Sequence, residues 1–356
     1  MTYRNAKRLQ EAYNTFKDAI DTVDYLRGEI ISGDEAKQKL AEEWNQLYLQ
    51  MVEVCLSLSK ETDAIEYIER NKTHILSELL ATRQLFAEGK LPEAVRKELQ
   101  KLRLEIDIEK RRLAVDKQPD YGHINQLRQR YNELYPLEHI QFEQIQNLID
   151  DGTAIIQWYI FGDCFRTFII THHRPEPIIW QSSNEDLKNL HKWRDDYLAA
   201  YYAPRNAKTE TEQEKLQKQW ENSIKSRLQQ LAEILHINQI LENLSNISPN
   251  IDQLILVPHL YLHILPLHGL PISQNAGNYL FDLFPRGVKY APSCQILQQV
   301  QQQQRQEFQH FFAIQNPTPD LYEPYDQDLG IVRAISKQFQ HSYIFLYLLI
   351  IANLKK

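Results

Sequence analysis

The sequence predicts an α + α/β protein, in which an N-terminal helical region precedes a domain with a partly parallel sheet. Three observations support this fold class. Apolar residues recur at helical spacing from residue 3 to about residue 148, two segments rich in β-branched and aromatic residues follow, and strand and helix patterns alternate after residue 252. With 356 residues, the chain can bury more than one sizeable core.

The first region, residues 1–88, is predicted to contain amphipathic helices. A stripe at steps of four and three begins at Leu9 and places its members on one helix face. In the next helix pair, two apolar sets are expected to face each other: Trp44, Leu47 and Met51 against Ala64, Tyr67 and Ile68. Such pairs bury their apolar sides by stacking on neighbours, as in a tetratricopeptide-like (TPR-like) repeat, and an ordinary helical hairpin explains the pattern as well.

The second region, residues 89–148, is predicted to be an antiparallel helical hairpin. Pro92 stands where a helix begins, a position at which its missing N–H costs little. A heptad-like apolar stripe starts at Val95, is broken by QPDYG at 118–122, and resumes at Ile124. Two helices in coiled-coil-like contact are the simplest structure with this pattern.

Extended structure is predicted after residue 152. TAIIQWYIF (153–161) and CFRTFIIT (164–171) are rich in β-branched and aromatic residues. Gly162-Asp163 between them suits the positive φ of a two-residue hairpin turn. PIIWQ (177–181) is expected to add a third strand.

The remaining segments are predicted to alternate between helix and strand. A helical insert covers about 184–244, with the polar tract 204–215 as its flexible interior. QLILVP (253–258) is typical of a strand buried on both faces. Three further segments are expected to form a helix, a buried strand and a helix: 293–306, 310–317 and 328–339. This alternation implies right-handed crossovers and a parallel sheet.

Three histidines, His259, His263 and His268, lie within LILVPHLYLHILPLHGLP (254–271). His259 and His263 are four residues apart, which on a helix is metal-binding spacing. However, the prolines in this stretch oppose a continuous helix, and no acidic or cysteine ligand lies nearby to complete a tetrahedral site. We therefore expect structural histidines at the end of a strand, and no metal site.

His268-Gly269 suggests a second chemistry. A His-Gly at a strand end with a cysteine on a neighbouring strand is the arrangement of caspase-like proteases, in which the histidine is general acid and base for a thiolate. Cys294 is the only cysteine downstream, and it lies at a predicted helix start, which can lower a thiol pKa. The alternative is a packed thiol, as expected for Cys55 and Cys164 within their apolar runs.

Composition excludes several classes of function. The net charge is −7 and basic residues are dispersed among acidic ones, so nucleic acid is not an expected partner. Three widely spaced cysteines predict no disulfide framework, and the N-terminus has no apolar secretory segment, which together favour a cytoplasmic protein. The apolar run IFLYLLIIA (344–352) is shorter than the roughly 20 residues that span a bilayer and is expected to be a buried strand or an interfacial anchor.

Five segments resemble, in order, blocks of the cyanobacterial CHAT-domain proteins, which join helical repeats to a caspase-like α/β domain. The segments are AIEYIERNKTHILSELLATRQ (64–84), TAIIQWYIFGDCFRTFIIT (153–171), LILVPHLYLHILPLHGLP (254–271), LFPRGVKYAPSCQIL (283–297) and HFFAIQNPTPDL (310–321). The resemblance implies that residues 149–341 are the N-terminal part of a CHAT domain and that the family activity is cysteine endopeptidase.

The resemblance also implies that His268 and Cys294 are not the catalytic pair. The family's catalytic histidine and cysteine lie on later strands, in CHG-like and SACE-like contexts, and neither context occurs in this sequence. We therefore expect a truncated, non-catalytic chain with an aberrant apolar tail at 342–356, no cofactor, and protein partners bound through the helical N-terminal half. Membrane association is not expected. A caspase-like cysteine peptidase of the TPR-CHAT type is the alternative.

Overall fold

A computed structural model describes residues 8–27, 34–81, 93–116, 120–134, 139–272 and 279–302. All of them belong to one compact unit, Met1–Gln303. The strand expected at 310–317, the helix expected at 328–339 and the apolar tail at 342–356 lie outside the described residues, as does Pro92.

The N-terminal region is helical, as predicted. Helix α1 spans Leu9–Arg27, α2 spans Asp34–Ser57 and α3 spans Glu61–Ala81. The pair α2–α3 packs through the predicted apolar residues, of which Met51, Ala64 and Ile68 are fully buried.

A Schellman turn separates α2 from α3. Ser59 takes a left-handed φ of 54°, and the Lys60 N–H donates to the carbonyl of Cys55 (2.9 Å), while the Ser59 N–H donates to that of Leu56 (3.2 Å). These bonds satisfy the carbonyls left free at the end of α2. The chain therefore reverses within a few residues, and α3 folds back against α2.

The predicted hairpin consists of α4, Glu93–Val115, and α5, Gly122–Leu134. The two helices enclose a small core of their own, made of Leu102, Ile106, Leu113, Ile124 and Leu127. An ion pair between Glu98 and Arg130 (2.8 Å) lies at the end of the pair away from the connection. The heptad-like stripe therefore correctly predicted which residues meet.

After a short helix α6, Phe142–Gln146, the chain enters a five-stranded sheet. Its strands are β1 Thr153–Ile160, β2 Phe165–Thr171, β3 Ile178–Gln181, β4 Gln253–Val257 and β5 Gly287–Tyr290, in the order β3-β2-β1-β4-β5. Strands β1, β2 and β3 pair antiparallel, whereas β4 pairs parallel with both β1 and β5. The predicted hairpin, third strand and partly parallel sheet are confirmed, and β5 is an addition that the pattern did not predict.

The turn between β1 and β2 corrects one expectation. Neither Gly162 nor Asp163 has a positive φ, and a hydrogen bond from the Phe161 N–H to the Cys164 carbonyl (2.8 Å) closes the loop. Ile160 and Phe165 are directly opposed and enter the same core. A shift by one residue would move every side chain to the other face, so burial on the strands fixes the register.

The insert between β3 and β4 is more ordered than predicted. It contains α7, Asn184–Tyr202, α8, Glu210–Ile234, and α9, Ile237–Ile247. The tract 204–215 was expected to be a flexible interior, but its second half is the start of α8. Thr209 accepts the Glu212 N–H (3.3 Å) as an N-cap, and acidic residues in the first turn favour a helix start there.

Helices cover both faces of the sheet. The apolar side chains of each central strand point alternately to one face and the other, so two cores form. We call the core under α7, α8 and α9 the insert-side core; it includes Ile156, Trp158, Leu190, Leu241 and Leu256. The helix-side core lies under α2, α3 and the last described helix, α10 (Cys294–Gln302); it includes Met51, Ile68, Ile155, Ile255 and Cys294. Of the described helices, none combines the length and apolarity needed to cross a membrane.

Candidate functional site

Three polar side chains on α3 are buried against the sheet. Glu69, Asn71 and Lys72 are 0%, 2% and 5% exposed, respectively. Residues of these types are rarely this buried unless they are paired. Sequence reasoning missed this cluster, although a signal exists: Asn71 and Lys72 continue at helical spacing the apolar stripe that contains Ala64 and Ile68.

Glu69 connects three elements. Its carboxylate accepts hydrogen bonds from the Gln157 side-chain amide of β1 (2.8 Å) and from the Gln295 N–H of α10 (3.0 Å). The carboxylate thus lies at the positive end of the α10 dipole, which favours a negative charge. Burial nevertheless raises the pKa of Glu69, against the opposing effects of Lys72 and of these hydrogen bonds.

Lys72 and Asn71 reach the carboxyl ends of the parallel strands. The Lys72 ammonium donates to the Pro258 carbonyl (3.1 Å), directly after β4, and burial lowers the pKa of Lys72 to about 8 while Glu69 opposes the shift. The Asn71 side-chain amide donates to the Tyr159 hydroxyl on β1 (2.8 Å) and to the side-chain amide oxygen of Asn45 on α2 (2.7 Å). The cluster therefore fastens the helical region to the sheet.

His259 is a structural histidine, as the sequence predicts. Its Nδ1 accepts the Ile160 N–H (3.0 Å), its ring stacks on Tyr159 (4.3 Å between centroids), and burial lowers its pKa well below the usual value. A ring that accepts at Nδ1 is neutral and carries its proton on Nε2. Within the described residues, neither His259 nor His263 joins a group of three metal-ligating side chains.

His268 lies in a short 3₁₀ turn, Leu267–Gly269, whose first residue packs in the insert-side core. Its backbone N–H donates to the Tyr290 hydroxyl (2.8 Å), and the same hydroxyl is 2.9 Å from its Nδ1. Because one phenol oxygen serves both groups, Tyr290 fixes the orientation of the imidazole at the end of β5.

Cys294 is fully buried in the helix-side core. Burial raises the pKa of its thiol well above the usual value, and the nearby Glu69 carboxylate adds to the shift. The start of α10 does not lower this pKa, because desolvation and a neighbouring carboxylate outweigh the helix dipole. Of the two readings that the sequence left open for Cys294, the structure favours the packed thiol. Leu267, next to His268, lies in the insert-side core, whereas Cys294 lies in the helix-side core, and among the described contacts none joins the His268 and Cys294 side chains.

A second polar cluster lies at the opposite end of the sheet, where the parallel strands begin. Arg286, just before β5, donates to Asp150 (2.7 and 2.8 Å), to Asp252 and to the Thr153 hydroxyl (3.0 Å). The guanidinium holds the pKa of Asp150 well below its usual range. Arg286 thus joins the segments that lead into β1, β4 and β5.

The fold and these two clusters define a class: a three-layer α/β protein with helices on both faces of a mixed five-stranded sheet and a buried polar cluster at the carboxyl ends of its parallel strands. In comparisons with known proteins, no family model matches the chain, and no match to a curated protein was found. The chemistry of the described residues is therefore the basis for a functional proposal.

Proposed function

We propose that this protein is a non-catalytic relative of the CHAT-domain proteins and acts by binding other proteins through its helical region. The observation that carries the proposal is a second apolar stripe on α4. Leu104, Ile108 and Val115 are 63%, 56% and 85% exposed, although the same helix already buries Leu102 and Ile106 against α5. Large apolar side chains exposed along one helix face are typical of an interaction site.

The three exposed residues lie on one face of α4. Steps of four and seven residues return nearly to the same angular position on a helix, so the side chains form a line about three turns long, with the exposed Arg111 between Ile108 and Val115. Exposed charged residues, including Lys101 and Asp107, flank this line. An apolar centre with a charged rim suits an amphipathic helix of a partner protein, docked side by side with α4.

The positions of His268 and Cys294 support the non-catalytic part of the proposal. Cysteine peptidases need a thiolate within reach of an imidazole. Here Cys294 is buried in the helix-side core with a raised pKa, and His268 is held by Tyr290, which packs against the insert-side core. None of the described contacts favours the alternative of an active peptidase with this pair.

Binding through α4 is tested with a double substitution, Leu104→Lys/Ile108→Lys. A protein retained from cell extract by the immobilised wild-type chain is purified, and its affinity is measured by calorimetry. Two lysines in the middle of the interface are expected to weaken binding about 10-fold or more, because charged groups replace buried apolar contacts. Ile264→Lys is the matched control, since Ile264 is similarly exposed (58%) but lies outside the helical region.

Equal affinity of the double variant and the wild type, with unchanged circular dichroism, contradicts binding through α4. The non-catalytic part has a separate test. A peptidyl electrophile is expected to modify Cys294 only when the chain unfolds. If the electrophile modifies the folded protein faster than it modifies a free thiol, and the Cys294→Ala variant is not modified, the result supports an active peptidase instead.

A further inference from the structure

We propose that Asp151, His172 and His173 form a binding site for a divalent transition metal ion, with Zn²⁺ as the first choice. One potential ligand atom of each residue lies within 4.8 Å of the other two. The site is at the end of the sheet where β1 begins and β2 ends. It is independent of the surface on α4 and of the histidines that the sequence singled out.

Strand pairing brings the three residues together. In the β1–β2 hairpin, Ala154 lies opposite Thr171, the last residue of β2. His172 and His173 directly follow Thr171, and Asp151 lies in the turn just before β1. Sites supported by paired strands are more precise than sites on free loops.

One ring nitrogen of His172 is held by a backbone carbonyl, which leaves the other for a metal ion. Its Nδ1 is 3.0 Å from the carbonyl oxygen of Gln146, and because a carbonyl only accepts, the Nδ1 carries the proton and Nε2 keeps its lone pair. Ligating histidines commonly donate their second ring N–H to a backbone carbonyl in this way, which fixes the tautomer and the ring. His172 thus has the outer contact that a metal ligand needs.

The same glutamine holds the turn that carries both histidines. The Gln146 side-chain amide is within hydrogen-bonding distance of the carbonyls of Thr171 (3.0 Å), His172 (3.1 Å) and Arg174 (2.6 Å). On the other side, Arg286 and Thr153 hold Asp150, the neighbour of Asp151. Both backbone segments of the site are therefore fixed before a metal ion arrives.

The remaining two ligands need only small rotations. His173 Nε2 is 2.7 Å from an Asp151 carboxylate oxygen, and these side chains are 76% and 74% exposed. A tetrahedral zinc ion with bonds of about 2.0–2.1 Å places its ligand atoms about 3.4 Å apart. That spacing falls between this 2.7 Å contact and the 4.8 Å within which all three ligand atoms lie, and both side chains are exposed enough to rotate toward it.

The ligand set and its surroundings favour a cation of this type. Two imidazoles and one carboxylate suit Zn²⁺ and its neighbours in the first transition series. Asp151 and His172 also line an open depression of about 570 Å³, together with Asp150, Asp252 and Arg286. Three carboxylates and one guanidinium give this depression a net negative charge, which attracts cations. Three protein ligands leave the fourth position of a tetrahedral metal ion to water or to a small anionic ligand.

The test is a metal titration of the full chain, produced without a histidine tag and stripped with a chelator. Zn²⁺ is titrated in competition with a chromogenic chelator, and Co²⁺ replaces it to report coordination by its visible absorption. We expect one ion per chain, bound at least about 10-fold more weakly by His172→Ala and by Asp151→Asn. His123→Ala, which removes an exposed histidine of α5, is the matched control and is expected to bind as the wild type does.

Absence of stoichiometric binding overturns the proposal. Equal binding by the wild type and His172→Ala/His173→Ala, or an equal loss in His123→Ala, also overturns it. Circular dichroism shows whether each variant is folded. Asp151→Asn keeps the shape of an exposed side chain, so it preserves the test if the histidine variants fail to fold.

Discussion

Single polar residues fasten the layers of this protein to one another. Glu69 and Lys72 on α3 are buried. Glu69 accepts the Gln295 N–H of α10, and Lys72 donates to the Pro258 carbonyl directly after β4. Burial disfavours the charged form of each group, which is why the pKa of the acid rises and that of the base falls. His259 follows the same principle, since it is kept neutral and its Nδ1 completes the hydrogen bonding of β1.

Neutral burial of His259 predicts a specific loss of stability in acid. Its pKa is lowered in the folded state, so below the unfolded value of about 6.5 the unfolded chain binds a proton that the folded chain does not. The free energy of unfolding then decreases as pH falls, by up to about 1.4 kcal/mol per pH unit for this group. Chemical denaturation at pH 7, 6 and 5 is expected to show a steeper loss for the wild type than for His259→Asn.

The asparagine side chain retains an acceptor for the Ile160 N–H but does not titrate in this range. His123→Asn on the exposed face of α5 serves as the control and is expected to follow the wild type. A parallel pH dependence of wild type and His259→Asn would show that His259 is not kept neutral by the fold.

At the scale of elements, the α4–α5 pair differs from every other helix of the described region. Its buried apolar residues, such as Leu102 and Ile124, contact each other and form a core that contains only residues of this pair and its connection. Elements with few contacts to the main core open locally, with a free energy below that of global unfolding. We therefore expect the pair, which carries the stripe of Leu104, Ile108 and Val115, to open as a separate cooperative unit.

Leu102→Ala is expected to destabilise this unit and nothing else. Leu102 is 1% exposed, and removing a buried leucine side chain typically costs about 2–5 kcal/mol. Native-state hydrogen exchange is expected to become faster in residues 93–116 and 120–134 and to stay unchanged in β1. Faster exchange in β1 as well would mean that the helix pair unfolds only together with the sheet.

At the scale of the whole molecule, the sheet separates two cores that depend on it equally. Each central strand sends one side chain to the insert side and the next to the helix side, as Trp158 and Tyr159 do on β1. Neither face of the sheet is stable in water alone, because both are apolar. The helical insert and the N-terminal helices are thus thermodynamically coupled through the strands.

This coupling predicts a global effect of Leu190→Ala on α7. Leu190 is fully buried in the insert-side core, and the loss of its side chain is expected to cost about 2–5 kcal/mol. Native-state hydrogen exchange is expected to become faster in β1, in β4 and also in α3, which lies on the other face of the sheet from α7. Leu104→Ala, at a residue that is 63% exposed, provides the contrast and is expected to change the free energy of unfolding by less than about 0.5 kcal/mol.

Much of the fold was predictable because its signals are local in sequence. Helical spacing located α1 to α5, and β-branched runs located β1, β2, β3 and β4. Strand β5, with the sequence GVKY, gave no such signal because it contains a single β-branched residue, whereas the equally short β3 contains two adjacent isoleucines and a tryptophan. The tract 204–215 was wrongly predicted to be flexible, because its polar composition is typical of a loop. In the structure, a capping threonine starts a helix within it.

The sequence by itself therefore determined the helices, the hairpin and the buried central strand, because periodic apolar spacing dictates which face of an element leaves water. Only the tertiary structure decided which polar residues meet. Glu69 on α3 contacts Gln295 on α10, because both helices pack against the helix-side core. Asp151 contacts His173, because the pairing of β1 with β2 brings the two segments together. Tertiary structure also placed Cys294 in the helix-side core and Leu267, next to His268, in the insert-side core, because strand alternation and crossovers assign each segment to one side of the sheet.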